Sequence, residues 1–271
     1  MKEVLQLYSL RHFLKTEEMI KETLKKVKDM GFDYILLSGI GKFSDDKINF
    51  IDQCTKELDL KIIGTHIDYN QLKEEFEQTV KYHKQLGCSY VGISAIPDGF
   101  DRRSLNDYQA FIFQANQMAN RLKEHDLKLV YHHHAFEFAK IDEFLPMDVI
   151  MQNMISENLS VEPDLFWIQF SGLNPLDFIE TYKHKIELIQ IKDMKVKLSN
   201  KWVTTAQCAP IGEGNMDYKK IISVINRLDF PYLIIEQDEF FDQDPFIEIA
   251  TSLKHVKAYK SNVSLNENKQ L

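Results

Sequence analysis

The chain of 271 residues is acidic, with a formal net charge of −8 at pH 7, and 44% of its residues are hydrophobic. This charge argues against non-specific binding to nucleic acids or to anionic membranes, because both reward patches of lysine and arginine. The length allows one α/β barrel or two smaller domains, and the apolar content is sufficient for a large core.

The three cysteines, Cys54, Cys88 and Cys208, lie far apart, and none belongs to a C-x-x-C pair. A disulfide framework or a zinc–thiolate site is therefore not expected, and a reducing compartment fits the sequence. The first residues carry no secretory signal, and no apolar run approaches the roughly 18 residues of a membrane span. The sequence predicts a cytoplasmic protein.

Short apolar segments alternate with longer amphipathic segments along the chain. Strands are predicted at VLQLY (4–8), YILLS (34–38), KIIGTH (61–66), YVGIS (90–94), LKLVYH (127–132), LSVEPD (159–164), ELIQIKD (187–193) and YLIIEQ (232–237). The helices that follow them are predicted near 17–31, 45–58, 70–86, 104–125, 147–156, from 175, 217–228 and from 245. Thr16 precedes two glutamates, and Asn174 and Asp244 each precede a proline, which are signals of helix starts.

These eight strand–helix units predict an α/β fold, a closed (β/α)₈ TIM barrel that forms a single domain over residues 1–260. The strands are apolar without strict alternation, as expected where both faces are buried, and repeated βα units imply parallel strands. A doubly wound open sheet is the alternative, although GIGKF (39–43) is not the glycine-rich turn of a dinucleotide site. Residues 261–271 are predicted to form a frayed polar tail.

Polar side chains collect at the C-terminal ends of the predicted strands, where the active sites of such barrels lie. They are Gln6, Tyr8 and Arg11 (first strand), His66 (third), His132, His133, His134 and Glu137 (fifth), Glu162 and Asp164 (sixth), Gln190, Lys192 and Asp193 (seventh), and Glu236, Gln237 and Asp238 (eighth). One polar residue at a strand end is usually a loop cap. Carboxylates from three strands at one mouth, however, repel one another unless a cation or a proton lies between them.

A divalent metal ion would satisfy such a barrel mouth, with a shared proton as the alternative. Sites rich in carboxylate oxygens favour Mn²⁺ or Mg²⁺, and a nearby imidazole widens the choice to Co²⁺, Zn²⁺ or Fe²⁺. On a strand, His132 and His134 share one face while His133 points the other way, so the even-numbered pair is expected to face the mouth.

Seven short motifs have an order and spacing that match a known family. QLYSLR (6–11) is similar to that family's first-strand signature, GTHI (64–67) to its third-strand histidine segment, YHHHAFEF (131–138) to Y-H-N-H-x-F-E-F, PDLFW (163–167) to L-D-x-G-W, IQIKDM (189–194) to H-L-K-D-M, IGEGNMDY (211–218) to V-G-E-G-x-x-D-[FY], and IIEQD (234–238) to V-E-Q-D. Along nearly its whole length, the chain thus resembles the sugar phosphate isomerase/epimerase group, which has the xylose isomerase-like TIM barrel.

The resemblance implies a divalent metal held by Glu137, Asp164, the position of Gln190, and Glu236, with His132 or His134 as the alternative to Glu137. It also implies that Glu137 and Glu236 act as acid and base on the carbon beside a carbonyl. The predicted activity is metal-assisted isomerisation or epimerisation of a keto-sugar or sugar derivative.

Further residues are expected to bind the substrate. Tyr8, Arg11, His66, His132, His134 and Trp167 would line the sugar pocket, although Arg11 is equally suited to a structural ion pair and Trp167 to packing. Lys192 would stabilise an oxyanion or a substrate carboxylate, and its alternative is a salt bridge to Asp193. GEG (212–214) is a weak candidate for a phosphate cradle.

Two departures from the family pattern change the expectations. Gln190 replaces the family histidine, and an amide oxygen binds a transition metal more weakly than imidazole does. The metal is then retained with a harder preference, lost from a site that still binds a sugar, or held by a neighbouring histidine. Phe166 replaces the family glycine and either narrows the pocket or packs against a neighbouring loop.

Three other functions remain open. One is a dehydratase or lyase on a keto-sugar or inositol-type substrate, which uses the same enolate chemistry. Another is a non-catalytic sugar-binding descendant, because Gln190 replaces a ligand. An abasic-site endonuclease receives little weight, because the surface is acidic. The expected partner is a small sugar or sugar derivative, with neither nucleic acid nor membrane, and a homo-oligomer through the barrel helices would be ordinary.

Overall fold

The computed structural model describes residues 1–198, 205–241 and 244–267, with side chains described as far as residue 261. Eight parallel strands form a nearly closed barrel in the spatial order β6-β5-β4-β3-β2-β1-β10-β7. Their bounds are β1 Lys2–Gln6, β2 Tyr34–Leu37, β3 Lys61–Ile67, β4 Tyr90–Ile93, β5 Lys128–His132, β6 Leu159–Glu162, β7 Leu188–Ile191 and β10 Tyr232–Ile235. Isolated parallel bridges, Val161 to Ile186 and Asp164 to Gln190, join β6 to β7. The predicted TIM barrel is confirmed.

The helices of the described residues surround this barrel. They are α1 Glu17–Asp29, α2 Asp45–Glu57, α3 Tyr69–Glu74, α4 Phe76–Leu86, α5 Leu105–Lys123, α6 Pro146–Asn153, α7 Leu165–Phe170, α8 Pro175–Tyr182, α9 Tyr218–Arg227 and α10 Pro245–Glu267. The predicted caps hold, because Thr16 accepts the N–H of Met19 and Asn174 accepts the N–H of Leu176. In the part of the chain described, no helix has the length and apolar character required to cross a membrane.

Three local features differ from the sequence-based prediction. The helix predicted over 70–86 is two helices, because Glu75 leaves the helical region with φ −118° and ψ 41°. The long loop predicted after the seventh strand contains an antiparallel hairpin of β8 Asp193–Lys197 and β9 Thr205–Ala209. The helix α10 continues to Glu267, past the domain boundary predicted at residue 260, and residues 268–271 of the predicted tail lie outside the described residues.

The lower half of the barrel interior is an apolar plug. It consists of one buried side chain from each of six strands: Val4, Leu36, Ile63, Val130, Leu188 and Ile234. Three tyrosines, Tyr34, Tyr90 and Tyr232, pack against this cluster, and their rings meet edge to face. Because strand side chains alternate with a period of two, the next inward positions along several of these strands are the polar Gln6, His132, Gln190 and Glu236. The apolar plug therefore lies directly below a layer of polar side chains in the barrel interior.

The buried His83 of α4 generates a pH-dependent stability. Its Nδ1–H donates to the Thr79 carbonyl at 2.8 Å, so its Nε2 accepts the Thr65 hydroxyl at 2.8 Å. Burial lowers the pKa of His83 from 6.5 to about 4. The unfolded chain therefore takes up a proton at this residue between pH 6.5 and about 4 while the folded chain does not. Stability falls as the pH falls through that window, by roughly 3 kcal/mol for this group.

We expect His83→Gln to remove this share of the pH dependence. Urea unfolding at pH 7 and at pH 4.5 should show a smaller loss of unfolding free energy in the variant than in the wild type. Equal losses in both proteins would contradict the assignment, because the other buried histidines are common to both.

Candidate active site

A cavity of about 440 Å³ opens at the C-terminal ends of the barrel strands. Its polar wall comes from seven strands and the loops that follow them: Gln6 at the end of β1 and Tyr8 after it, Ser38 after β2, His66 and Asp68 at β3, Ser94 after β4, His132 and His134 at β5, Lys192 after β7, and Glu236 and Asp238 after β10. This position matches the expected location of an active site in such a barrel.

Lys192 is the cation at the base of the cavity, with only 1% of its side chain exposed. Its Nζ lies 3.0 Å from Asp164 Oδ2, 2.7 Å from Glu236 Oε2 and 2.6 Å from Asp238 Oδ2. Burial by itself lowers the pKa of Lys192, but these three carboxylates outweigh it and raise the pKa well above 10.5. Lys192 therefore remains charged and ties together carboxylates from the sixth and eighth barrel strands. The partners of Lys192 are thus not the neighbouring Asp193, which the sequence offered as the alternative to an oxyanion-stabilising role.

Gln190 lies on the same strand and completes the cluster. Its Nε2 donates to Asp164 Oδ2 at 3.2 Å and also to Glu236 Oε2. Its Oε1 is buried without a hydrogen-bond partner among the described residues. The amide thus presents its donor, and not its acceptor, to the carboxylates.

Glu236 has the ionisation best suited to proton transfer. Burial raises the pKa of Glu236 to about 8; Lys192 opposes this rise, and Asp238 and Asp164 add to it. Burial likewise raises the pKa of Asp164 above its ordinary value. One ammonium among three carboxylates leaves an excess of negative charge, which favours a shared proton near neutral pH.

The opposite wall contains a hydrogen-bonded chain. The Gln6 amide donates to His66 Nδ1 at 3.1 Å, so the ring carries its proton on Nε2, which donates to Glu162 Oε2 at 3.1 Å. This packing requires a glycine at position 92, because a Cβ there would lie 2.3 Å from the His66 ring. The imidazole is thereby fixed in one tautomer and one orientation.

The three consecutive histidines divide as the alternation of a strand predicts. His132 and His134 line the cavity. His133 points outward, where it accepts the N–H of Asp164 at 3.2 Å and donates to the His134 carbonyl at 3.2 Å. Burial lowers the pKa of His132 well below 6.5, that of His133 to about 3, and that of His134 to about 4. All three rings are uncharged at neutral pH.

The structure does not bring Glu137 to the cavity. The chain leaves β5 through a short 3-10 turn, Phe136–Phe138, which turns this carboxylate to the outer face of the sheet. There it accepts the Tyr131 hydroxyl and, at 2.9 Å, the N–H of His134. Burial raises the pKa of Glu137 to about 7, against the opposing effect of both donors. Glu137 thus positions the histidine segment from behind.

Other residues expected in the pocket lie at its edge or outside its lining. Tyr8 lines the cavity, while Arg11 stacks on the Tyr8 ring at 4.5 Å from its centroid. Trp167 packs beside His134, with ring centroids 5.8 Å apart. Phe166 stacks on Phe170 and meets Trp167 edge to face, so it packs locally instead of narrowing the cavity.

The GEG segment does not form a free phosphate cradle, because the protein fills it with its own anion. The Asp193 carboxylate accepts the N–H groups of Gly212 at 2.9 Å, Gly214 at 3.1 Å and Met216 at 3.3 Å. A Cβ at Gly214 would lie 2.3 Å from Asp193 Oδ1, so the close approach requires glycine.

The arrangement does not fit the divalent ion that the sequence predicts. The Lys192 ammonium occupies the space between the carboxylates, Gln190 turns its donor toward them, and Glu137 is elsewhere. Across the described ranges, no group of three or more histidine, cysteine, aspartate or glutamate side chains has the spacing of a metal site. The carboxylates of the site are instead arranged around the ammonium group of Lys192.

Several cavity residues carried no assigned role in the sequence. The sequence identifies Asp238 only as a strand-end residue, and it does not single out Ser38, Asp68 and Ser94. Each of these three stands at the first position after its strand, next to Leu37, Ile67 or Ile93. That position, counted on every strand, is the signal that would have found them.

Known proteins share the fold and parts of the sequence. The model of a family described as "Xylose isomerase-like TIM barrel" matches residues 24–257. An inosose dehydratase of Clostridium botulinum (strain Alaska E43 / Type E3) is 25% identical over 144 residues, which cover 49% of this chain and 46% of that protein. The chain thus spans about half the length of this relative.

Two solved structures extend the likeness over the whole barrel. A sugar phosphate isomerase/epimerase from Parabacteroides distasonis is 19% identical, with a TM-score of 0.75, covering 94% of this chain and 97% of that one. A xylose isomerase-like TIM barrel protein from Mycobacterium smegmatis, solved in complex with magnesium, is 12% identical, with a TM-score of 0.69 and 97% of each chain covered. The expectation of this family is confirmed.

A stability measurement tests the placement of Glu137. Glu137→Ala leaves the buried Tyr131 hydroxyl and the His134 N–H without an acceptor, at a cost of roughly 1–3 kcal/mol for each. Glu137→Gln retains one acceptor oxygen and should be affected much less. Urea unfolding of both variants measures the difference, and an unchanged stability of Glu137→Ala would contradict the placement.

Proposed function

The chain belongs to the xylose isomerase-like TIM barrel family, and we propose that it isomerises or epimerises a keto-sugar or sugar derivative by removing the proton beside the carbonyl. The observation that carries this proposal is the position of Glu236. Its carboxylate lines the cavity with a pKa of about 8 and lies 2.7 Å from the ammonium of Lys192. A base and a fixed positive charge side by side are the two groups that enolisation requires.

In this proposal, Glu236 accepts the α-proton and thereby loses its negative charge, which releases the positive charge of Lys192 to stabilise the enediolate oxygen that develops. A base whose pKa lies near the working pH contributes roughly 10²- to 10⁴-fold in rate, and electrostatic stabilisation contributes further. Glu137 takes no part in proton transfer here. Glu236 returns the proton to the neighbouring carbon in isomerisation, after a proton has moved between the two enediol oxygens; epimerisation would require a second proton donor on the opposite face. His66 and His132 hold the substrate hydroxyls.

The cavity favours an unphosphorylated substrate. Asp68, Glu236 and Asp238 line it, and Lys192, the cation among the lining residues described, is already paired with carboxylates. This acidic wall would repel a phosphate group, and the Asp193 carboxylate already occupies the N–H groups of the glycine loop at residues 212–216. A neutral polyhydroxy ketone is not repelled by the acidic wall and needs no phosphate-binding loop.

A dehydratase is the second candidate, because curated relatives of this chain are inosose dehydratases. Elimination of water begins with the same proton abstraction and needs only a hydroxyl on the carbon beyond the enolate. The cytoplasmic location and the homo-oligomer remain predictions.

Proton exchange tests the role of Glu236 without knowledge of the final product. In D₂O, the wild type should exchange the α-proton of at least one ketose or ketocyclitol in a panel of unphosphorylated compounds, followed by ¹H NMR. Glu236→Gln should lower that rate roughly 10²- to 10⁴-fold, because it removes the base and preserves the shape. The control is Glu187→Gln, which changes an ion pair with Lys128 outside the cavity.

Retention of exchange within a few-fold in Glu236→Gln would contradict the mechanism. Absence of exchange with every compound would instead favour a sugar-binding protein. Product mass separates the two enzymatic candidates, because isomerisation or epimerisation conserves mass and dehydration removes one water.

A further inference from the structure

We propose that the ammonium group of Lys192 is the resident cation of this site, so that the chain binds no divalent metal ion there. Three carboxylate oxygens surround Nζ at 2.6 to 3.0 Å. These carboxylates, from Asp164, Glu236 and Asp238, are the ones that would hold or flank a metal ion. Their charge is neutralised in part from within the chain.

The Lys192 side chain is held in this position from behind. The backbone N–H of Lys192 donates to the Tyr218 hydroxyl at 3.0 Å, and that hydroxyl donates to the Lys192 carbonyl at 2.9 Å. The Nζ atom also lies 5.5 Å from the Trp167 ring centroid and 5.9 Å from that of Phe166. The side chain thus leaves a fixed backbone and passes between aromatic rings and the carboxylates.

A divalent ion would have to displace this ammonium group. Two cations within a few ångströms of each other repel strongly in a buried site, because the effective dielectric constant there is low. The displaced ammonium would also lose three charged partners while it is still largely desolvated, which is costly for a buried ion. Metal binding therefore competes with an ion-pair network that is already complete.

Gln190 contributes to the same arrangement. Its Nε2 donates to both Asp164 and Glu236, so these carboxylates receive an amide donor as well as the ammonium. The family motif H-L-K-D-M places a histidine at this position, where this chain has an amide. An imidazole nitrogen that binds a metal is an electron-pair donor, whereas this amide nitrogen is a proton donor. The substitution thus replaces a side chain that can donate an electron pair to a metal with one that donates a hydrogen bond to the carboxylates.

Retention of manganese by the wild type is the primary test. It measures metal binding and not turnover, so a failure of this inference is distinguishable from a failure of the proposed function. The protein is stripped with chelator, equilibrated with excess Mn²⁺, passed through a desalting column and analysed for metal. We expect no retained Mn²⁺ and the same melting temperature in Mn²⁺ and in EDTA. Stoichiometric retention would overturn the proposal.

Lys192→Met tests the competition directly. Without the ammonium, the three carboxylates should bind Mn²⁺, seen as a bound-ion spectrum by electron paramagnetic resonance and as a melting temperature that Mn²⁺ raises. The double variant with Gln190→His should bind more tightly. The matched control is Lys128→Met, which breaks an ion pair with Glu187 and should gain no Mn²⁺. A folded Lys192→Met that binds no more Mn²⁺ than this control would overturn the proposal; if it does not fold, the wild-type measurement decides.

Discussion

The ion-pair cluster of Lys192 with Asp164, Glu236 and Asp238 is the interaction on which the site depends. Burying a charge costs several kcal/mol unless its partners are close and well oriented. The barrel meets this condition by drawing the partners from different strands. Glu236 and Asp238 follow β10, the neighbour of β7, whereas Asp164 reaches Lys192 only when the sheet closes between β6 and β7. The ion-pair cluster and the closure of the barrel therefore stabilise each other. Both contribute to the burial and the charges that set the pKa of Glu236.

The depth of the cluster follows from the alternation of side chains along the strands. An apolar layer that includes Val4, Leu188 and Ile234 fills the lower barrel, and the next inward residues are polar. The apolar layer excludes water from below, so the cavity reaches solvent from above. Low dielectric beneath and solvent above explain why burial dominates the raised pKa of Glu236 and the lowered pKa values of the histidines.

The sequence predicts the repeating features of this fold and fails where the chain departs from a repeat. Strand positions, the caps at Thr16 and Asn174, and the outward His133 all follow from short-range rules. Glu137 does not, because the family resemblance places it at the metal, whereas the 3-10 turn after β5 leaves it on the outer face beside Tyr131. The pairing of Lys192 with distant carboxylates, and not with its neighbour Asp193, depends on barrel closure and thus on contacts that no local pattern contains.

The carboxylate of Asp193 has a different consequence. It binds three backbone N–H groups of residues 212–216 and stands directly after Lys192, so the loop beside this lysine is organised around a carboxylate of the chain itself. A loop that must be ordered by its substrate consumes part of the binding free energy for that ordering. Here the conformational entropy of this loop is lost during folding instead, so the backbone that packs against Asp193 is already ordered when a substrate enters the cavity.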